Sequence, residues 1–199
     1  ASPPYYCHCE RSECGTSILL TDRSKCYGGS IIIDGGTYTV NNRQDTGDGH
    51  DATILVNSGA MFVTGGGTDS LRLPDNDGGT QQLLIGDGIV QAISMAMGDG
   101  RTSSEGGTGG SLVTFTAGGV GELRVDTAFL GTRPPGDSFL PEFWLQYAAD
   151  FPGYGLFPAD GEILQTTEDG PWTVITSVPE PATMVLLGLG GLALIRRKR

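Results

Sequence analysis

Residues 30–40 read Ser-Ile-Ile-Ile-Asp-Gly-Gly-Thr-Tyr-Thr-Val: a β-branched run (Ile31–Ile33), a glycine turn (Asp34-Gly35-Gly36) and a second run (Thr37–Val40). The same phrase returns along the chain. Further runs are Thr53–Val56, Met61–Val63, Leu71–Leu73, Gln82–Ile85, Ile89–Ile93, Leu112–Thr116 and Glu122–Val125. Between them stand Asn57-Ser58-Gly59, Gly65-Gly66-Gly67, Asp75-Asn76-Asp77-Gly78-Gly79 and Gly86-Asp87-Gly88. Short runs of Val, Ile, Thr and Phe bounded by Gly, Asn and Asp are strand-and-turn chemistry. No 3.6-residue periodicity crosses this stretch, so the body is predicted to be all-β.

Comparable runs recur after 22 residues (Ile31 to Thr53) and then 18 (Thr53 to Leu71). That spacing is close to one coil of a β-solenoid, or β-helix, in which each short strand stacks on its equivalent above and below. A short Gly-rich solenoid is the predicted architecture, with a β-sandwich of about eight strands as the alternative. The 33 glycines, about 17% of 199 residues, follow no three-residue period, which excludes a collagen helix. The Gly/Ser/Thr-rich segment 98–111 reads as a loop. No lysine follows it as a phosphate-cradling loop would require.

The organisation expected is a Cys-rich segment (1–29), a Gly-rich β-repeat domain (30–138), an aromatic cap with a closing hairpin (139–177) and a C-terminal tail (178–199). Seven of the fifteen aromatics fall in 139–157, where Phe143, Tyr147 and Phe151 would share one stripe of a short helix. Such a cap seals an open end of a repeat core. Trp144 and Tyr147 are also the candidate glycan platform if the chain binds sugars. Beyond them, Ile163–Thr166 and Trp172–Ile175, joined around Glu168-Asp169-Gly170-Pro171, read as a hairpin.

All four cysteines, Cys7, Cys9, Cys14 and Cys26, lie in the first 26 residues, and the chain starts at Ala1. Both features are expected of an exported protein whose signal has been removed, and two disulfides among these cysteines are predicted. Joining Cys7 to Cys9 is geometrically awkward, which favours each reaching Cys14 or Cys26. A zinc site with His8 is the alternative, without the usual C-x₂-C spacing. Charge agrees with export: apart from the basic terminus, the chain carries 8 basic against 23 acidic residues. Such a surface repels phosphate backbones, so nucleic acid is excluded as a partner.

The chain ends Val178-Pro179-Glu180-Pro181, an uncharged apolar stretch over 182–195, and Arg196-Arg197-Lys198-Arg199. Prolines 179 and 181 hold the entrance extended. Fourteen helical residues rise ~21 Å, short of a ~30 Å hydrocarbon core, so the predicted transmembrane helix is a marginal span. The basic cluster acts as its cytoplasmic stop. This three-part tail resembles the PEP-CTERM sorting signal of Gram-negative and related environmental bacteria. The resemblance implies recognition at Pro179-Glu180-Pro181 by an exosortase, a membrane cysteine transpeptidase. It further implies loss of the tail and transfer from an inner-membrane-tethered precursor to the cell surface or an exopolysaccharide matrix.

Two stretches, Thr64–Leu71 and Thr46–Thr53, are similar to the calcium-binding nonapeptide of repeats-in-toxin proteins. With the turn at 75–78 they make Asp51, Asp69, Asp75 and Asp77 the candidate calcium ligands. The nonapeptide between the two does not match, and solvated turns are the plainer reading, so no cofactor is expected. No H-E-x-x-H or G-x-S-x-G occurs and the only histidines are His8 and His50, so no enzyme is predicted. The functional expectation is a structural protein of the surface or matrix. A carbohydrate-binding or adhesive module stands as the alternative, and a polysaccharide lyase behind it.

Overall fold

The computed structural model describes residues 17–22, 24–26, 28–46, 51–65, 70–73, 79–97, 110–116, 120–129 and 154–180. These form an all-β protein of fourteen strands. In chain order they are β1 (Ser17–Leu20), β2 (Ser24–Cys26), β3 (Gly29–Val40), β4 (Gln44–Thr46), β5 (Ala52–Val63), β6 (Leu71–Leu73) and β7 (Thr80–Ile85). They continue with β8 (Ile89–Ala92), β9 (Met95–Met97), β10 (Gly110–Phe115), β11 (Glu122–Asp126), β12 (Tyr154–Phe157), β13 (Glu162–Asp169) and β14 (Trp172–Pro179).

Pairing follows three ladders. In the first, the leading half of β3 lies parallel to the leading half of β5, then to β7, β10 and β12 in succession. The second joins β1, the trailing halves of β3 and β5, then β8 and β11, all parallel. It ends in the antiparallel pair β14 and β13. The third is a separate four-stranded sheet, β2-β4-β6-β9, again parallel. Along the sequence the chain visits third, first and second ladder in that order, four times over. The connections from third to first ladder lengthen on each pass: residues 27–28, 47–51, 74–79 and 98–109.

Alternation explains the burial. In a strand, successive side chains point to opposite faces. Hence Ile31 and Ile33 are buried while Ile32 between them is exposed. Because the ladders are in register, inward residues stack into columns. Ile31, Ile54, Leu83, Val113 and Leu156 are successive partners and all are buried. A second column runs Tyr38, Met61, Val90, Leu123 and Ile175. Leu71, Leu73, Met95 and Met97 close the core from the third ladder.

The structure corrects the expected spacing. Thr53 and Leu71 are not successive equivalents: Thr53 pairs with Ser30 and Gln82, whereas Leu71 pairs with Gln44 and Met95. The ladders repeat with unequal intervals because connections, not strands, absorb the length differences. Asp34-Gly35-Gly36 is also not a break between strands. β3 runs through it, with register shifts at Ile33/Asp34 and Asp34/Thr37 that let one strand serve two ladders. Finally, Tyr154–Phe157, grouped with the aromatic cap in the sequence reading, is the last parallel strand of the first ladder. The helix expected at 143–151 lies outside the described residues.

The early part of the core contains a polar cluster. Tyr38 Oη donates to Gln44 Oε1 (3.1 Å) and accepts from Ser24 Oγ (3.0 Å), and Gln44 Nε2 donates to the Asp45 carbonyl (3.0 Å). All are buried, so each bond satisfies a group that has left water. The Tyr38→Phe substitution keeps the ring and strands Gln44 Oε1. It is expected to lower stability by about 1–3 kcal/mol in denaturant unfolding. Unchanged stability would show that the cluster is dispensable.

Candidate processing site at the last hairpin

The sorting residues are reached through a hairpin. β13 and β14 pair antiparallel from Asp169↔Trp172 at the tip to Glu162↔Pro179 at the open end. Gly170 and Pro171 make the two-residue loop, with Gly170 at φ 60°, the sign that a type II′ turn demands at its first central position. The hairpin is fastened to the body by β14, whose residues Trp172–Thr176 pair with β11. Val174 and Ile175 are buried there. Two side-chain links add to the ladder: Thr127 Oγ1 with Thr173 Oγ1 (3.0 Å), and Arg124 Nη1 with Asp169 Oδ2 (3.2 Å). Arg124 also holds Glu122 (2.6 Å), but these ion pairs are partly solvated and contribute little.

Past Thr176 the described pairing of β14 is with β13 alone. Ser177 is buried and its Oγ accepts from the Ala159 amide (3.0 Å). Val178 stands opposite Ile163 and Pro179 opposite Glu162. Beyond them the Glu180 amide donates to the Gly161 carbonyl over a long 3.5 Å. That bond makes 161/180 a hydrogen-bonded pair, and antiparallel pairs alternate. Pro179 therefore occupies a non-bonded position, where its missing N–H costs the ladder nothing. Asp160, Glu162 and Glu180 give this end an acidic character.

Other predicted site residues are scattered or outside the description. Asp51 is exposed and its Oδ1 accepts from the Thr80 amide (2.8 Å), extending the β5–β7 pairing. Asp69, Asp75 and Asp77 lie outside the described residues, as do Trp144, Tyr147, Pro181, the apolar stretch 182–195 and Arg196–Arg199. Among the described residues no group of three His, Cys, Asp or Glu is placed to hold a metal ion, and no helix is long and apolar enough to cross a membrane. Cys26 is buried in β2, its Sγ 3.9 Å from the Gly28 carbonyl. Cys7, Cys9 and Cys14, and with them the predicted disulfide framework, fall outside the described residues.

The residues that the sequence reading missed are Gly161, Glu162 and Ile163, which oppose the sorting residues. Their signal was present: a two-residue loop at Gly170-Pro171, counted outward symmetrically, brings Pro179 to Glu162. Ending the hairpin at Ile175 concealed it.

An all-β body whose last strand runs directly into a C-terminal tail defines a folded domain carrying a terminal address. Residues 177–199 match the PEP-CTERM protein-sorting motif, so the chain carries that sorting signal. The motif implies an exported, membrane-processed protein and an exosortase as the processing enzyme. No curated protein and no solved structure matches the chain.

Proposed function

We propose that this protein is a structural component of the cell surface or exopolysaccharide matrix, delivered by exosortase processing, and that its body is a short β-solenoid. The observation that carries the architectural reading is the repeated visit to three parallel ladders in a fixed order. A sandwich of the kind considered from the sequence is built from antiparallel strands, and the only antiparallel pairs among the described strands are those of β14 with β11 and β13. Among the described residues, in-register columns of buried Ile, Leu, Val and Met stack along the ladders, which suits a load-carrying role. The acidic body favours a hydrated polymer over a phosphate-bearing partner.

The test is fractionation of cells that make the tagged full chain or its Pro179→Ala/Glu180→Ala/Pro181→Ala variant. The wild type is expected as a shortened form in the surface or matrix fraction, and the variant as full-length protein in the membrane fraction. Matrix cohesion should fall in the variant. Normal cohesion with the variant trapped at the membrane would refute the matrix role while leaving the sorting route intact.

A further inference from the structure

Within the sorting motif, Val178 and Pro179 belong to a strand of the folded body. An enzyme that reads a peptide segment takes it in extended form, using its backbone donors and acceptors. Here the same segment already spends one edge on β13: Ile163 faces Val178, Glu162 faces Pro179, and Gly161 accepts from Glu180. An enzyme that takes the segment by this edge must first open those rungs.

The hold is graded. Through Thr176, β14 is gripped on both sides, by β11 and β13. Ser177 is the last anchored residue, buried and bonded to Ala159. Among the described residues Val178–Glu180 are then paired on one side only, against a strand whose Ile163 is 39% exposed and whose final bond is long. Short exposed rungs open locally at small cost without unfolding the rest. We propose that Gly161–Ile163 form a latch over Val178–Glu180, and that its fraying sets the rate of tail removal. The proposal rests on exosortase being the processing enzyme. It implies that the precursor is processed as a folded body, with Ser177 as the point where opening stops.

The substitution Ile163→Pro removes the donor of the hydrogen-bonded 163/178 pair and leaves the buried core untouched. In the full chain in detergent micelles, hydrogen exchange at the Val178 amide should be protected in the wild type and lose that protection in Ile163→Pro. In cells with the exosortase, pulse–chase should show conversion of precursor rising roughly two- to tenfold, the change that one net hydrogen bond brings to an opening equilibrium. A Gly-Ser-Gly-Ser insertion between Ser177 and Val178 should reproduce the faster rate, and Ile163→Pro should add nothing in that background. An unprotected Val178 amide in the wild type would overturn the latch by itself, with no enzyme involved. Equal or slower conversion of Ile163→Pro at native spacing would overturn it too, slower conversion meaning that the enzyme reads the intact hairpin. If wild type and both variants all stay unconverted while exchange behaves as expected, the exosortase assignment fails and the latch stands as a structural feature without its role.

Discussion

Leu83→Ala will lower the unfolding free energy by about 2–5 kcal/mol, while Leu84→Ala one position along will cost well under half as much. Leu83 is the middle member of the column Ile31, Ile54, Leu83, Val113, Leu156 and is fully buried. Truncation there removes its own transfer energy and leaves a void that neighbours fixed in ladder register cannot close. Leu84 has the same chemistry but points outward and is only half-buried. Urea unfolding of the full chain in detergent, followed by far-UV circular dichroism, measures both. Equal losses would mean that the inward and outward faces of β7 have been misassigned.

Gly121→Ala is expected to cost roughly 3 kcal/mol, the upper part of the overpacking range. A Cβ at this position would fall on the carbonyl oxygen of Gly86 and 2.6 Å from Ile85 Cγ2. The first obstacle is the backbone leading into the neighbouring strand β8, so no rotamer change relieves it. The chain must separate two rungs just where β11 begins to pair with β8. Gly29→Ala is the informative contrast. Gly29 sits at φ 94° with nothing near the added methyl, so only backbone strain is felt, on the order of 1–2 kcal/mol. Thermal unfolding of the two variants should rank them in that order. The reverse order would show that the backbone contact between Gly121 and Gly86 is loose.

Much of this fold was legible in the residues. Enrichment in Val, Ile, Thr and Phe between Gly, Asn and Asp turns predicted strands at Ile31–Ile33, Thr53–Val56 and Leu112–Thr116, where β3, β5 and β10 lie. The hairpin and the sorting tail were legible because each has a local chemical signature. Of the third ladder, Leu71–Leu73 was legible and the first two strands were not. Its strands Ser-Lys-Cys (24–26) and Gln-Asp-Thr (44–46) are short and polar, and they are buried because hydrogen bonds such as Tyr38 to Gln44 satisfy them. Propensity has no means to announce a strand held by partners outside its own run, Tyr38 being six residues from Gln44 and fourteen from Ser24. Register was illegible for a related reason: it is decided by which side chains stack, whereas interval counting assumes equal coils. At the sorting end, the proline-bounded motif proclaimed its own extended shape, yet nothing local to it named Glu162 and Ile163 as its partners.

The lengthening connections between the third and first ladders have a practical meaning. Segments 27–28, 47–51, 74–79 and 98–109 bridge the same two ladders, yet Gln44 still faces Leu71 and Leu83 still faces Val113. Registry is therefore indifferent to what is spliced into that corner. A foreign loop, an epitope or a small binding peptide grafted between Met97 and Gly110 is expected to leave the ladder pairing undisturbed, which makes this connection the natural site for turning the scaffold into a surface-display carrier.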